Sequence, residues 1–353
     1  MRRALPGAVL LATLLAAAIL LAACDSDAPV VVSREALGTV VSITAYGDDD
    51  AAIASAIDDA YVAMAEVEAQ LDVYDPGSAL SRFNAQPYTE QELPEAAVAV
   101  LDAVETLGVA DWFSPALLAV TRLYGFEEGG RLRTPEDLTW AVIASHRFDR
   151  TCTSAGRFLR MGSEDARLEP GGTLAPGLDL GGAAKGLALD RALETLRASG
   201  AVTAALISST SSTVTFGTKP DGSVWRIGIE DPREPDRVLS VFSFEGDGAL
   251  STSGDYQRYF ERNGVRYHHI LDPVTGLPAR GLRSLTVGGS ALSGLDADIL
   301  STALFVGGRD EAVAHAEREG VAVYLVDDGG RAQLVPAPDR SGLIVTEEPA
   351  PLP

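Results

Sequence analysis

The order of helix and strand patterns along the chain is the feature that most constrains its fold. Residues 39–46 alternate in polarity and are rich in β-branched side chains, which predicts a strand. Residues 50–71 are rich in alanine and carry apolar side chains at helical spacing, which predicts a long amphipathic helix. Strand patterns dominate the second half, without the regular βαβα rhythm of a doubly wound sheet. The chain is therefore predicted to adopt an α+β fold.

Further elements follow from the same patterns, with capping residues, proline and glycine marking the helix ends. Helices are predicted at residues 94–107, from Thr134 and Pro135 onward, and at residues 182–199, 296–306 and 310–318. Strands are predicted at residues 202–207, 225–229, 238–244, 266–271, 285–288 and 321–326. Because no clean linker separates the first half of the chain from the second, we expect two closely packed αβ halves.

The first 23 residues contain the parts of a bacterial export signal in order. Arg2 and Arg3 precede an uncharged apolar run, residues 7–23, which ends in small residues directly before Cys24. A run of this length with such an ending is typical of a cleaved signal rather than a membrane span. The sequence at residues 21–24, Leu-Ala-Ala-Cys, resembles the bacterial lipobox and implies lipidation of Cys24. An ordinary cleaved signal followed by an incidental cysteine is the alternative.

These features divide the chain into four expected parts. They are a signal peptide (residues 1–23), a lipid-anchored tether (24–34), one folded domain (35–345) and a Pro/Glu-rich disordered tail (346–353). Asp25 resembles the signal that keeps lipoproteins in the inner membrane of cells with two membranes. We therefore expect a protein that is lipid-anchored to the cell inner membrane and faces the periplasm or exterior.

Charge and composition exclude several classes of function. The formal net charge of −22 argues against binding nucleic acid through its phosphates. It also requires that any anionic substrate be met by local cations or by a metal ion. Cys152 is the only cysteine besides Cys24, so neither an intramolecular disulfide nor a cysteine-based metal cluster is expected. Four histidines in the chain do not favour a histidine-rich zinc site.

Residues 178–186 read Leu-Asp-Leu-Gly-Gly-Ala-Ala-Lys-Gly, a strand end followed by two glycines and a helix start that carries Lys185. Glycines let the backbone approach a ligand closely, and free N–H groups at a helix start favour anions. The spacing of a Walker loop is absent. On its own, this stretch fits both a phosphate-facing loop and a plain strand-to-helix turn.

Asp298 and Thr302 lie four residues apart on a predicted helix, so both side chains share one face. Two oxygen ligands of this kind suit Mg²⁺, which needs few protein ligands and completes its shell with phosphate and water. The alternative is that Asp296 and Asp298 only cap the helix and interact with its dipole.

Two adjacent histidines, His268 and His269, lie near a predicted strand end and precede the turn sequence Asp-Pro-Val-Thr-Gly at residues 272–276. Histidine is the side chain best matched to proton transfer near neutral pH. A structural turn with a surface pair of histidines is the competing interpretation.

Six stretches, in their order along the chain, resemble the ApbE family of FAD:protein FMN transferases. They are residues 36–39 (ALGT), 74–84 (YDPGSALSRFN), 179–186 (DLGGAAKG, with Asp190 following), 252–256 (TSGDY), 269–276 (HILDPVTG) and 297–303 (ADILSTA). The resemblance spans residue 37 to about residue 308, most of the chain after the signal. It implies an ApbE-like mixed α/β fold.

The chain departs from the family pattern at two places. Residues 208–212, Ser-Ser-Thr-Ser-Ser, stand where the family often has Gly-Gly-Asp or Gly-Gly-Asn, which puts the loop at the ligand in doubt. Ser114 and Ala116 replace the Asp and Thr of a Gly-x-Phe-Asp-x-Thr stretch in which Phe113 is retained. This second change weakens the polar contacts expected there.

The resemblance implies an enzyme that splits the diphosphate of FAD, passes the FMN phosphoryl group to a threonine of a partner flavoprotein, and releases AMP. It implies Mg²⁺ held by Asp298, Thr302 and a backbone carbonyl near Gly182. It also implies His269 as the residue that polarises or deprotonates the acceptor hydroxyl, or that orients the loop. The residues implied to bind FAD are Leu37, Tyr74, Trp112, Phe113, Ser114, Asp179, Lys185 and Ile270.

Two other functions remain open at this point. An Mg²⁺-dependent FAD hydrolase of the same fold would use water in place of threonine and give FMN and AMP. A flavin-binding lipoprotein without catalysis is the other possibility, because the serine-rich stretch at residues 208–212 departs from the family. The partners expected for the transferase are flavoproteins with a target threonine, in a motif resembling Asp-Gly-x-Ser/Thr-Gly-Ala-Thr, and the membrane; no nucleic acid is expected.

Overall fold

The structure is a computed structural model that describes residues 28–132, 134, 138–139, 141–142, 149–153, 156–160, 175–335 and 343–346. Four of the expected features lie outside the described residues. They are the signal peptide, the lipidation site Cys24, the helix start at residues 135–137, and the tail from residue 347 onward.

The described residues include sixteen strands and six well-defined α-helices. The strands are β1 (Val30–Ala36), β2 (Thr39–Tyr46), β3 (Gln91–Glu92), β4 (Asp149–Thr153), β5 (Gly156–Arg160), β6 (Ala204–Ser208), β7 (Ser212–Phe216), β8 (Trp225–Glu230), β9 (Val238–Phe244), β10 (Gly248–Gly254), β11 (Tyr259–Arg262), β12 (Val265–His268), β13 (Leu282–Gly289), β14 (Ala322–Asp327), β15 (Ala332–Val335) and β16 (Leu343–Thr346). The helices are α1 (Asp50–Leu71), α2 (Ala79–Asn84), α3 (Glu95–Leu107), α4 (Leu118–Tyr124), α5 (Ala184–Ala198) and α6 (Gly294–Glu319), with a 3₁₀ turn at Phe126–Glu128.

An eight-stranded sheet organises the molecule, in the order β1-β2-β6-β7-β10-β13-β14-β15. Every neighbouring pair in it is antiparallel. Strands from the first and second halves of the chain lie side by side, since β2 pairs with β6. The halves therefore share one sheet, which agrees with the predicted α+β fold and with close packing of the two parts.

Helices cover one face of this sheet. Helix α1 buries Ile53, Ile57, Met64 and Leu71, which recur at the three- and four-residue spacing of a single helical face. It packs along α5, and α5 packs in turn against α6. The principal apolar cluster lies between these helices and the sheet.

The opposite face of the sheet is covered by a smaller three-stranded sheet, in the order β16-β9-β8. Its aromatic side chains Trp225, Phe242 and Phe244 are buried together with Leu250 and Tyr324 of the large sheet. The fold thus has three layers, with helices, the eight-stranded sheet and the small sheet stacked in that order.

Two boundaries predicted from sequence are wrong. Residues 30–34, assigned to the tether, belong to β1 and pair with residues 41–45 of β2. They form a strand because Val30 and Val32 pack on the core while alternate residues face outward. Thr346, assigned to the tail, closes β16 by pairing with Val241.

Most predicted elements match the structure closely, and two differ in detail. Residues 296–306 and 310–318, predicted as two helices, lie in one helical segment that breaks at Gly308, where φ is 78°. Glycine permits this backbone conformation at little cost. The strand predicted at residues 266–271 ends at His268, and Leu271 makes only an isolated bridge to Pro278. Within the described part of the chain, no helix has both the length and the apolar character to cross a membrane.

Helices α5 and α6 cross at a contact made by two glycines. A Cβ atom on Gly186 would lie 2.1 Å from the carbonyl oxygen of Gly294 and 2.8 Å from Cβ of Asp298. The Asp190 carboxylate accepts hydrogen bonds from the N–H groups of Gly294 and Leu295, at 2.7 and 2.8 Å, and so caps the start of α6. This crossing places residues near position 298 beside the start of α5.

We expect Gly186→Ala to destabilise the protein, because the added methyl group would overlap a backbone carbonyl and force the two helices apart. The expected loss is about 1–3 kcal/mol in the free energy of unfolding, as for other overpacked positions. Chemical denaturation monitored by circular dichroism measures it. Gly246→Ala is the matched control, because a Cβ there meets nothing within 4 Å. Equal stability of both variants would contradict a close contact between α5 and α6.

Candidate active site

The loop before α5 meets helix α6 at Gly182. A Cβ atom on Gly182 would lie 3.2 Å from the ring of Phe113 and 3.4 Å from Oγ1 of Thr302. The Thr302 hydroxyl lies 3.5 Å from the carbonyl oxygen of Gly182. Three residues predicted from separate parts of the sequence therefore come together, and a side chain at position 182 would be in tight contact with both the aromatic ring and the hydroxyl.

Asp298 lies one helical turn before Thr302, and its side chain is only 4% exposed. Its Oδ2 accepts a hydrogen bond from the Gly186 N–H at 2.9 Å. Its Oδ1 accepts from Ser251 at 2.9 Å and from Ser212 at 3.3 Å. Asp298 therefore faces the polar cluster and does not cap its helix, whereas Asp296 forms a capping box with Ser293.

Four hydroxyl groups continue the cluster from the sheet to helix α6. Ser251 and Ser253 lie two residues apart on β10, so both point toward the helix. Ser301 Oγ lies 3.3 Å from Ser251 Oγ and 3.0 Å from Ser253 Oγ. Ser253 Oγ lies 3.1 Å from Oγ1 of Thr302. None of these serines was predicted individually from the sequence, although Ser253 and Ser301 fall inside two of the matched stretches.

The residues around Thr302 fit a magnesium ion by the chemistry of their donors. Asp298, Thr302 and the carbonyl of Gly182 offer a carboxylate, a hydroxyl and a carbonyl oxygen, the ligand types that Mg²⁺ prefers. A carboxylate has about four lone-pair sites, and three hydrogen bonds to Asp298 leave one on Oδ2. In the described residues, no group of three or more His, Cys, Asp or Glu side chains could hold a metal ion. A site here would depend on a single carboxylate.

The two adjacent histidines have different environments. His268 is 2% exposed, donates a hydrogen bond from Nε2 to the carbonyl of Ala279 at 2.9 Å, and packs edge-on against Phe305. Burial lowers the pKa of His268 to about 4. His268 is therefore a neutral core residue, and the interpretation of both histidines as a surface pair is wrong.

His269 is partly exposed, and its Nδ1 lies 3.3 Å from the carbonyl oxygen of Arg258. Because a carbonyl only accepts hydrogen bonds, Nδ1 carries the proton and Nε2 keeps its lone pair. Desolvation lowers the pKa of His269 below its ordinary value, and the nearby charges of Arg258 and Lys185 lower it further. His269 is thus a neutral imidazole at physiological pH, able to accept a hydrogen bond at Nε2.

Two positively charged side chains, Lys185 and Arg258, lie near His269. Lys185 lies in the first turn of α5, and Arg258 follows β10. The Arg258 guanidinium lies 6.0 Å from the ring centre of Tyr74, which is 56% exposed. Lys185 and Tyr74 were predicted from the sequence, whereas Arg258 was missed because its neighbours are distant along the chain.

Other residues that the sequence predicted to bind the substrate lie around this region. The Asp179 N–H donates to the carbonyl of Pro115 at 2.8 Å, which ties the loop before α5 to the stretch that contains Ser114. The Ser114 hydroxyl accepts from the Ala116 N–H at 3.3 Å. Trp112 lies beside Gly307 of α6, since a Cβ there would be 3.4 Å from its ring. Ile270, Leu37 and Asn84 hold backbone in place rather than presenting polar groups to the cluster.

The contacts of these last three residues are specific. Ile270 is buried, and its carbonyl accepts from the Ala279 N–H. Leu37 lies in the tight turn between β1 and β2 with φ of 55° and packs against the main apolar cluster. Asn84 accepts from the N–H of Leu178 and donates to its carbonyl, both at 2.8 Å. Asn84 thereby fixes the segment that leads to the glycine pair; this segment has only an isolated bridge at Gly177 and is not the strand end expected from the sequence.

The serine-rich stretch forms the hairpin between β6 and β7. Ser212 reaches Asp298 and Ser251, and Thr210 contacts Thr39 beside the β1–β2 turn. The departure from the family pattern therefore lies directly at the polar cluster.

Comparison with known proteins identifies the family of this chain. The sequence profile of the ApbE family matches residues 37–325. The chain is 32% identical over 333 residues to FAD:protein FMN transferase of Vibrio cholerae, covering 89% of this chain and 93% of the relative. It is 30% identical over 333 residues to the Haemophilus influenzae protein of the same name, covering 88% and 90%.

Solved structures show the same likeness. The crystal structure of the ApbE protein from Thermotoga maritima superposes with a TM-score of 0.72 at 29% identity, covering 86% of this chain and 96% of that one. The apo form of flavinyl transferase ApbE from Pseudomonas stutzeri gives 0.69 at 30% identity, covering 88% and 94%. This chain belongs to the ApbE family, and the family predicted from sequence is confirmed.

We expect His268 to make folding stability depend on pH. Its pKa is about 4 in the fold, against 6.5 for an unperturbed histidine, so the stabilisation is complete above pH 6.5 and is lost as pH falls toward 4. A shift of this size corresponds to about 3 kcal/mol. His268→Gln, which can still donate to Ala279, should flatten the dependence of unfolding free energy on pH between 7 and 4. Parallel curves for wild type and variant would refute this assignment.

Proposed function

We propose that this chain is an Mg²⁺-dependent FAD:protein FMN transferase that attaches FMN through a phosphoester bond to a threonine of a partner flavoprotein and releases AMP. The observation that carries the proposal is the convergence of Asp298, Thr302 and the Gly182 carbonyl beside the start of helix α5. This arrangement offers oxygen ligands and a helix N-terminus at one place, where a diphosphate bridged by a cation can bind.

The residues around the site would bind different parts of the substrate, according to their chemistry. Asp298, Thr302 and the Gly182 carbonyl would hold Mg²⁺, which when bound offsets the charge that develops on the transferred phosphoryl group. Lys185 and the N–H groups at the start of α5 attract the diphosphate, which a chain of net charge −22 otherwise repels. Tyr74, which is 56% exposed, offers an aromatic surface to the flavin or adenine ring, whereas the ring of Phe113 is buried beside Gly182.

The transfer exchanges the phosphoanhydride bond of FAD for a phosphoester bond to the acceptor threonine. The threonine oxygen of the acceptor forms a bond to the phosphorus of the FMN moiety, and the bond from this phosphorus to the bridging oxygen of the diphosphate breaks. AMP leaves with that oxygen. Nε2 of His269 accepts the hydrogen bond of the threonine hydroxyl and takes its proton as the new bond forms; the negative charge of the bound diphosphate offsets the desolvation that lowers the pKa of this imidazole.

We expect Asp298→Asn to lower AMP release from FAD at least 100-fold, because it removes the single carboxylate of the proposed metal site. The assay incubates the purified chain with FAD, Mg²⁺ and an acceptor domain with the target threonine, and follows AMP and the acceptor mass. Asp296→Asn is the matched control, since it removes a carboxylate from the same helix but only affects the cap. AMP without a mass gain on the acceptor would instead identify a hydrolase. Equal activity of both variants would contradict the metal site.

We also propose that Cys24 carries a lipid that anchors the enzyme to the cell inner membrane, facing the periplasm or exterior. The support is the sequence at residues 21–24, which combines small residues before the cysteine with a preceding apolar run. The first strand begins at residue 30, so only a short connection separates the cysteine from the fold. An anchored enzyme would meet acceptor proteins that face the same side of the membrane.

Cys24→Ala is expected to move the protein from the membrane fraction to the soluble fraction, because the acyl chains that stabilise attachment can no longer be added. Cell fractionation with immunoblotting measures the distribution, and labelling with a radioactive fatty acid tests lipidation directly. Cys152→Ala serves as the control, since it removes the other cysteine of the chain. A variant at position 24 that still incorporates the labelled fatty acid would overturn the anchor.

A further inference from the structure

We infer that Ser253 and Ser301 are positioning residues that draw the proton of the Thr302 hydroxyl away from Gly182, leaving the Thr302 and Gly182 oxygens open to a divalent cation. The inference deepens the proposed function and rests on its metal site. It concerns two serines of the cluster that contact neither Asp298 Oδ1 nor Oδ2 in the structure. Their role follows from the distances between hydroxyl groups and from the number of protons available.

A continuous row of hydroxyl groups connects Thr302 to the backbone of Asp298. Thr302 Oγ1 lies 3.1 Å from Ser253 Oγ, which lies 3.0 Å from Ser301 Oγ. Ser301 Oγ in turn lies 3.0 Å from the carbonyl oxygen of Asp298. Ser253 and Ser301 are 7% and 0% exposed, so bulk water does not compete for these contacts.

Each hydroxyl has one proton, and only two orders of donation place a proton in both contacts among Thr302, Ser253 and Ser301. Ser301 has a second, longer acceptor contact, to Ser251 Oγ at 3.3 Å, besides the Asp298 carbonyl at 3.0 Å. In the first, Thr302 donates to Ser253, Ser253 donates to Ser301, and Ser301 donates to the Asp298 carbonyl. In the second, the protons point the other way, and Thr302 must donate to the Gly182 carbonyl. That last contact is 3.5 Å, at the limit of a hydrogen bond, whereas every step of the first order is 3.0 or 3.1 Å.

The first direction is therefore the stable one, and it has a chemical consequence. The Thr302 proton points to Ser253, so the hydroxyl lone pairs face the gap beside Gly182. The Gly182 carbonyl receives no proton from Thr302 and keeps both lone pairs. Both oxygens then present only acceptors, which a cation requires, while hydrogen bonds in a row polarise one another and strengthen this order.

The hydroxyls of Ser253 and Ser301 form a relay that accepts the proton of Thr302. Removing this relay would turn the Thr302 proton toward Gly182. Without the Ser253 hydroxyl, the Thr302 proton has the Gly182 carbonyl as its remaining neighbour in the structure. The proton would then lie between the two oxygens proposed to bind the ion and would compete with it. Partners that orient metal ligands typically contribute tenfold to a hundredfold in metal affinity.

The test titrates MgCl₂ into the full-length purified chain by isothermal calorimetry, without FAD. Ser253→Ala should weaken Mg²⁺ binding about tenfold, and Ser301→Ala should weaken it in the same direction, because it removes the acceptor of the Ser253 proton. At saturating Mg²⁺, Ser253→Ala should recover most of the wild-type rate of AMP release. A merely structural serine would not give this separation between Mg²⁺ requirement and maximal rate.

Thr252→Ala is the matched control. It lies on the same strand, but its hydroxyl pairs with Thr286 at 2.8 Å on the opposite face of the sheet. The control should bind Mg²⁺ like wild type, while the unfolding free energies of the metal-free variants at positions 252 and 253 should fall by similar amounts.

The outcomes separate this inference from the proposed function. A wild-type chain that does not bind Mg²⁺ overturns the metal site and with it the relay. Wild-type binding that both serine variants retain overturns the relay alone and leaves the metal site standing. Weakening by Thr252→Ala as large as that by Ser253→Ala would assign the effect to a loosened sheet and would also overturn the relay.

Discussion

The close crossing of helices α5 and α6 is the contact on which the rest of the site depends. It is made by the backbones of Gly186 and Gly294, where a side chain on either residue would overlap a carbonyl oxygen. Two carboxylates flank the crossing: Asp190 of α5 caps the start of α6, and Asp298 of α6 accepts the Gly186 N–H. Burial raises the pKa of Asp190 to about 6, while the two N–H groups that it accepts from lower it. The helices are thus joined by reciprocal hydrogen bonds, and polar groups on both are held on rigid elements.

Strand β10 of the large sheet forms the third side of the site, because its successive side chains point to opposite faces of the sheet. Ser251 and Ser253 face the helices, while Thr252 between them pairs with Thr286 on the opposite face. A polar cluster in an apolar layer is costly unless its members bond to one another. Here the hydroxyls bond to each other, to Asp298 and to backbone carbonyls, so the layer keeps its packing. The cost of burying polar groups is offset within the cluster, which explains why serines are tolerated beside a largely alanine and leucine interface.

Local patterns in the sequence predicted the elements and the shared helical face of Asp298 and Thr302, because both depend on short-range periodicity. Helix α1 and strand β2 begin and end where the patterns predicted, and Asp298 and Thr302 share a helical face through four-residue spacing. Strand β1 was not predicted from the sequence because only alternate residues of this short, largely exposed segment are apolar. The roles of Ser212 and Arg258 could not be predicted either. They depend on which strands pair and which loops meet, and these contacts join residues far apart in sequence.

The net charge of the chain explains why these long-range contacts matter for binding an anionic substrate. A protein with a formal charge of −22 that binds a diphosphate must limit negative charge at the site and concentrate positive charge there. Asp298 is the single carboxylate in the hydroxyl cluster, and the hairpin at residues 208–212 contributes a neutral hydroxyl from Ser212. Lys185 and Arg258 lie close enough to lower the pKa of His269, so the same charges that attract an anion also keep the imidazole neutral. The attraction of the substrate and part of the pKa shift of His269 therefore come from the same two cations, whose local effect the acidic surface of the rest of the molecule does not cancel because that surface acts across solvent.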